Sequence, residues 1–241
     1  MIYFIGAGPG AVDLITVRGA EILSRSDMII YAGSLVNHDL VRKYAPETCK
    51  IYDSSTMTLD EICSKFLYSH ERGLTTARLH SGDPALFGAI NEQINFLRGK
   101  NIPFEIIPGV SSLFAAAASL ETEYTIPEIS QTLIISRREG RTPVPDGKSL
   151  AFFLSAGMVE ALCADLIAKG HDEKTPAALV YRASWPDERV IRGNLAALPK
   201  LAQEAGITKS AIILVGEFLK ESRTKSRLYD KNFSHEYRSI H

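Results

Sequence analysis

The chain is poor in cysteine, in clustered histidine, in net charge and in long apolar runs, and each shortage closes off a class of protein. Its three cysteines, Cys49, Cys63 and Cys163, are odd in number and far apart. They make neither a disulfide framework nor a CxxC metal pair, so a reducing compartment is expected. The histidines His38, His70, His80, His171, His235 and His241 include no HxH or HExxH spacing, and no bound catalytic metal is expected. Lys and Arg number 27 against 28 Asp and Glu, a net charge of -1. That balance argues against a partner such as nucleic acid or an anionic membrane and confines any anion-binding surface to a local patch. No uninterrupted apolar stretch approaches the roughly 18 residues of a membrane span. Met1 leads directly into the strand-like Ile2-Tyr3-Phe4-Ile5, with no basic n-region or long apolar h-region, which points to a soluble, cytoplasmic protein. Periodic repeats and low-complexity segments are missing as well.

What is present is 241 residues of 45% apolar composition, enough for two modest domains with packed cores. Short β-branched and aromatic runs at Ile2–Ile5, Met28–Tyr31, Thr75–Leu79 and Phe104–Ile107 read as strands. Helical patterns near Val17–Arg25, Leu59–Glu71 and Ala89–Gly99 separate them. That alternation implies a mainly parallel sheet in a first domain, residues 1–120. Ser111-Ser112 can cap a following helix, Leu113–Leu120, and Pro108-Gly109 ends the strand before it. After the polar Glu121–Pro127 stretch, candidate strands at Thr132–Ile135, Leu150–Leu154, Ala177–Tyr181, Val190–Arg192 and Ala211–Val215 make a second α/β domain, residues 121–241. Val180–Ala183 and Arg189–Arg192 flank the turn-rich Ser184-Trp185-Pro186-Asp187, so this sheet should be mixed, with an antiparallel pair. The polar stretch Lys220–His241 reads as a C-terminal arm.

Two loops carry the chemical signal. Gly6-Ala7-Gly8-Pro9-Gly10-Ala11 follows the first strand and can be laid onto the GxGxxG/A dinucleotide fingerprint. That fingerprint expects an acid at the end of the second strand, yet this strand ends in Tyr31-Ala32-Gly33. A glycine turn that permits close backbone approach is the simpler reading. The second loop, His80-Ser81-Gly82-Asp83-Pro84-Ala85-Leu86-Phe87-Gly88, follows another strand, at the edge where open α/β sheets place ligands. It reads either as a ligand loop or as a plain turn in which Asp83 caps a helix. A third, Pro108-Gly109-Val110-Ser111-Ser112, follows the next strand.

These three loops, in this order and spacing, resemble the tetrapyrrole methylase family, and the resemblance covers essentially the whole chain. Tyr31-Ala32-Gly33-Ser34-Leu35-Val36, Glu139-Gly140-Arg141-Thr142-Pro143-Val144-Pro145 and Ser226-Arg227-Leu228-Tyr229-Asp230 narrow it to the branch that methylates carbon 11 of precorrin-4 or cobalt-precorrin-4 in corrin (cobalamin) biosynthesis. The resemblance implies a homodimer of two-domain subunits that binds S-adenosylmethionine in a trough between the domains and releases S-adenosylhomocysteine. Matched motif by motif, it implies cofactor contacts from Pro9, from Ser81, Gly82, Asp83 and Leu86, and from Ser111 and Ser112. Leu154, Ala183 and Ala211 would add contacts from the second half. Ser81 stands where many relatives have glycine, and Leu154 where some have methionine.

Methyl transfer to an electron-rich ring needs alignment more than a strong acid, and positioning can supply about 7–11 kcal/mol at its upper end. No catalytic general base is therefore assigned. Corrin precursors carry many carboxylates, and arginine's planar fork suits them. Arg137, Arg138 and Arg141 form the densest cationic run and are the expected substrate contacts, together with Tyr31 and with Trp185, the tryptophan in the turn. Arg182, Arg189 and Arg192 are further candidates. A nicotinamide-dependent oxidoreductase, a non-catalytic tetrapyrrole carrier and a methylase of another ring carbon are the alternatives.

Overall fold

The apolar runs of the first half are short and rich in β-branched residues, and Ile2–Ile5 and Met28–Tyr31 are unbroken by charge, the pattern of strands covered on both faces. In the computed structural model, which describes residues 1–138, 143–221 and 233–234, the runs at Ile2–Ile5, Met28–Tyr31 and Thr76–His80 become strands buried almost throughout, while Phe104–Ile107 leaves Ile106 exposed. The order is β1 (Ile2–Gly6), α1 (Val17–Leu23), β2 (Met28–Tyr31), α2 (His38–Tyr44), β3 (Lys50–Asp53), α3 (Leu59–Glu71), β4 (Thr76–His80), α4 (Asn91–Gly99), β5 (Phe104–Ile107) and α5 (Ser112–Leu120). The five strands form one parallel sheet in the order β3-β2-β4-β1-β5. Alternation along β1 sends Ile2 and Phe4 to one face, with Ile62, Phe66, Ile94 and Leu97, and Ile5 to the other, with Ile22, Leu23, Leu40 and Val41. Thr58 begins α3 with a reciprocal capping box to Glu61, the local reason this helix starts where its sequence pattern says.

The second half follows as β6 (Ile134–Arg137), β7 (Ser149–Phe153), α6 (Val159–Ala168), β8 (Pro176–Tyr181), β9 (Arg189–Asn194), α7 (Leu198–Glu204) and β10 (Ala211–Gly216). Its sheet runs β6-β7-β10-β8-β9 and is mixed: β6 and β7 are parallel, and the other neighbours are antiparallel. One core holds Leu150, Phe152, Leu179, Ile213 and Val215 against Leu162, Leu166 and Leu198 of α6 and α7. Two α/β units, the first with a parallel sheet and the second with a mixed one, are the fold class expected from the sequence.

By contacts the chain divides into two compact units. The first takes Met1–Ala115 and the turn Arg182–Asp187; the second takes Ala116–Tyr181 and the described residues from Glu188 onward. Three local readings shift. The strand expected at Thr132–Ile135 lies at Ile134–Arg137, where its register with Leu150–Phe153 puts it. The helix expected from Ala89 starts at Asn91, because Phe87 and Ala89 take positive φ of 56° and 49°. The short helix α2 and the strand β3, which is mostly exposed at the sheet edge, have too little apolar periodicity to stand out. Arg141, most of the Glu139–Pro145 string, the Ser226–Asp230 string and most of the expected C-terminal arm lie outside the described residues. Among those described, no helix is long and apolar enough to cross a membrane, and no cluster of His, Cys, Asp and Glu could hold a metal ion. All three cysteines are free; burial pushes the thiols of Cys49 and Cys163 up to about 11, which keeps them protonated and unreactive.

Candidate active site

In the first sheet β1 lies between β4 and β5. The chain leaves β1 toward β2 on one side and leaves β4 toward β5 on the other, so the loops after β1 and β4 part at a topological switch point. Open parallel sheets bind their ligands there, outside the carboxyl ends of the strands. The two loops are locked to each other through their backbones. Ala7 N donates to His80 O at 2.8 Å, Gly82 N to Gly8 O at 2.8 Å, and Gly8 N to Gly82 O at 3.3 Å.

The glycines explain why these loops can come so near. A Cβ on Gly6 would lie 2.4 Å from Gly109 Cα and 2.7 Å from Gly82 O, and one on Gly109 would lie 2.2 Å from Gly82 O. Three loops, after β1, β4 and β5, therefore meet backbone against backbone, a packing that only glycine permits. Gly82 serves a different need: its φ is +66°, a left-handed conformation, and a Cβ there would meet nothing nearer than 3.4 Å.

Asp83 fastens the arrangement. One carboxylate oxygen, Oδ2, accepts from Gly109 N at 2.7 Å, and the other, Oδ1, accepts from Ala85 N at 2.7 Å. Both oxygens are thus spent on holding the β4 loop in shape and joining it to the β5 loop. Buried Ser111 follows, its Oγ accepting from Leu113 N at 3.2 Å to start α5 at Ser112. Pro9 is buried, Leu86 half-buried with its N–H bonded to Asp83 O, and Ser81 exposed at the mouth of its loop. Ala183 is buried and Trp185 half-buried in the turn that joins the first unit.

Beneath the β4 loop lies a polar network that sequence reasoning missed. Arg78 is only 7% exposed, yet its bonds go to neutral acceptors: Gln93 Oε1 at 3.2 Å, Ser54 Oγ at 2.9 Å and Ile30 O at 3.4 Å. Burial lowers its guanidinium to about 10. Gln93 in turn donates to Ala89 O at 3.0 Å, bracing the segment where Phe87 and Ala89 take positive φ. His80 is buried two residues along, and burial, then the charge of Arg78, push it down to about 3 despite an opposing hydrogen bond with the Gly88 backbone. It is neutral at physiological pH and is no proton carrier there.

Tyr31, an expected substrate contact, is buried at the end of β2, and its hydroxyl meets His38 Nδ1 at 2.7 Å. Burial, then the nearby charge of Asp53, raises its hydroxyl above the usual tyrosine range. Asp53 is held below the usual carboxylate range by the backbone N–H groups of Gly33 and Ser55. The same β2 loop reaches the first loop through Asn37 Nδ2, which donates to Gly10 O at 2.9 Å.

The remaining candidates belong to the second unit, where Arg137, Leu154 and Ala211 lie at one end of neighbouring strands. The registers put Arg137 at the end of β6 beside Phe153 at the end of β7, and Ala211 at the start of β10 beside Tyr181 at the end of β8. Leu154 follows β7 with φ +52° and is 55% exposed. Arg137 is exposed. Arg138 is more enclosed: its side chain is 12% exposed, and Nε and Nη2 donate to Asp165 Oδ2 at 3.0 and 2.5 Å. Arg189 donates to Ala205 O, and Arg192 to Leu120 O.

A profile of the tetrapyrrole (corrin/porphyrin) methylases matches residues 1–199. The cobalt-precorrin-4 C(11)-methyltransferase of Methanocaldococcus jannaschii is 47% identical, over 100% of this chain and 96% of that protein. The precorrin-4 C(11)-methyltransferase of Pseudomonas aeruginosa is 41% identical, over 98% of each. A solved cobalt precorrin-4 methyltransferase, described as a cobalamin biosynthetic enzyme, superposes with a TM-score of 0.86 at 40% identity, covering 91% of this chain and 96% of its own. With a family profile over most of its length and close relatives over nearly all of it, the chain belongs to the tetrapyrrole (corrin/porphyrin) methylases.

Proposed function

We propose that this protein is an S-adenosylmethionine-dependent C-methyltransferase that methylates carbon 11 of precorrin-4 or cobalt-precorrin-4 in corrin biosynthesis. Identity of 41–47% to enzymes of that name, over essentially the whole chain, supports the ring position. The observation that carries the donor reading is the interlock of Gly6, Gly82 and Gly109 at the switch point of the first sheet. A cradle made of backbone, with no room for a Cβ at Gly6 or Gly109, suits a ligand recognised by amide and carbonyl groups. Pro9, Ser81, Gly82, Asp83, Leu86, Ser111, Ser112 and Ala183 of the first unit are the proposed donor contacts; Leu154 and Ala211 of the second unit are proposed likewise. When bound, S-adenosylmethionine supplies a sulfonium methyl group as the electrophile.

The protein's own part is positioning. Asp83 spends both carboxylate oxygens on backbone N–H groups, and His80 is buried and neutral, so neither is placed to take a proton. Stiff loops that hold two reactants at near-attack distance account for the acceleration without a strong base. Exposed Arg137 is the proposed partner for a substrate carboxylate. Tyr31 acts on substrate, in this reading, through the loop it anchors with His38.

The deciding experiment incubates the protein with methyl-labelled S-adenosylmethionine and precorrin-4, with and without cobalt, and reads the product by mass spectrometry. One added label at carbon 11 is the expected result; label at another carbon, or none while the donor is bound, ends the assignment. A cytoplasmic homodimer is part of the same proposal. It is supported by apolar side chains left uncovered on the first unit, Val17, Ile106 and Phe114, and by three free cysteines. Sedimentation equilibrium giving the mass of a single chain would end the dimer reading.

A further inference from the structure

Gly10 is buried and keeps an ordinary backbone, so its lack of a side chain must answer a demand for space. The occupant of that space is Trp185: a Cβ on Gly10 would lie 2.0 Å from the indole Cδ1 and 2.3 Å from Nε1. The contact is built on both sides of the glycine. The indole Nε1 donates to Pro9 O at 2.9 Å, and Ala11 N donates to Ser184 Oγ at 3.0 Å. Three consecutive loop residues, Pro9, Gly10 and Ala11, are thus each engaged by two consecutive turn residues, Ser184 and Trp185. The turn is itself held. Arg182 lies 3.9 Å from the indole centroid and bonds Asp187 at 2.6 Å, while Trp185 N donates to Arg182 O at 2.9 Å. Arg182 and Ser184 take positive φ of 47° and 66°, which non-glycine residues keep only where their surroundings enforce it.

We infer that Ser184 and Trp185 form a clamp that fixes the Pro9–Ala11 loop in its donor-binding shape, making Trp185 a positioning residue for the methyl donor and not a stacking surface for the tetrapyrrole. The inference rests on the reading that the donor binds at this loop. Its chemistry is specific. The indole ring is already occupied by Gly10 and Arg182, and its N–H is committed to a loop carbonyl, so its effect must pass through the loop. Trp185 is the chain's one tryptophan, so its replacement disturbs no other indole.

Trp185→Phe keeps an aromatic ring and removes the N–H. The loss of one neutral hydrogen bond corresponds to about a 3- to 10-fold rise in the KM for the donor. The KM for the tetrapyrrole and the saturated kcat should stay within about twofold, and Ser184→Ala should act in the same direction. Gly10→Ala should weaken donor binding more than tenfold with Trp185 present and far less in a Trp185→Ala background, because the clash is gone; such non-additivity marks direct contact. A rise in the tetrapyrrole KM with the donor KM unchanged, or additive effects of Gly10→Ala and Trp185→Ala, would overturn the clamp. Calorimetry with S-adenosylhomocysteine separates the two ways to fail. Heat from the unmodified protein with an unchanged Kd in Trp185→Phe defeats the clamp alone, whereas no heat from the unmodified protein defeats the donor reading and the clamp with it.

Discussion

Asparagine at position 83 preserves the size and shape of the side chain and changes only its hydrogen bonding. The carboxylate now accepts from Gly109 N and Ala85 N, both at 2.7 Å. Hydrogen bonds to a charged group contribute about 1.5–3 kcal/mol each. An amide keeps one oxygen and must turn its NH2 against one of the two N–H donors, so one bond is lost and a donor faces a donor. A loss of about 2–3 kcal/mol in the stability of the interlocked arrangement follows, equivalent to roughly a 30- to 150-fold change in an equilibrium constant. Donor affinity, measured by calorimetry with S-adenosylhomocysteine, should fall by about 10- to 100-fold, and the thermal unfolding midpoint should drop. Single-turnover methyl transfer with both ligands saturating should fall far less. Unchanged donor affinity would refute the role of Asp83 as a fastener. A single-turnover loss beyond about 10⁴-fold, the upper range for acid–base catalysis, would instead make it a base and refute the positioning mechanism.

Gly82→Ala and Gly109→Ala should differ in size because the two glycines answer different demands. The first pays left-handed strain of about 1–2 kcal/mol, and the second, with backbone 2.2 Å from its new Cβ, loses about 3 kcal/mol or more by overpacking; equal losses in denaturant melts would contradict this. His80, depressed to about 3 from 6.5, binds its proton only after unfolding across that range. Its contribution to stability is therefore complete above about pH 6.5 and is lost as pH falls toward 3, at up to about 1.4 kcal/mol per pH unit, and His80→Asn should flatten the unfolding profile there. Arg138→Gln should lower the unfolding midpoint, by removing the Asp165 pair, with little change in tetrapyrrole KM, whereas Arg137→Gln should raise that KM.

The legible parts of the fold were those written in local pattern. The β-branched runs of β1, β2 and β5 and the capped amphipathic stretch of α3 appear at or within a residue of where the sequence puts them. The edge strand β3 was not legible, because Lys50–Asp53 faces solvent and carries no apolar alternation. The start of α4 was misjudged by two residues because positive φ at Phe87 and Ala89 is imposed by the surrounding fold and has no signature in side-chain type. The three glycine loops could be found as strings. That they touch, and that Gly6 and Gly109 serve space while Gly82 serves conformation, could not.

By itself the sequence determined the α/β class, the parallel and mixed character of the two sheets, the positions of the glycine loops and the family, since each rests on periodicity or on short contiguous motifs. Tertiary structure alone decided what the polar groups do. Asp83 reaches Gly109 across 26 residues, Arg138 reaches Asp165 across 27, and Trp185 reaches Pro9 across 176. The physical reason is that a hydrogen bond at such separations depends on how sheets and turns are stacked in space, which no local spacing of residues encodes.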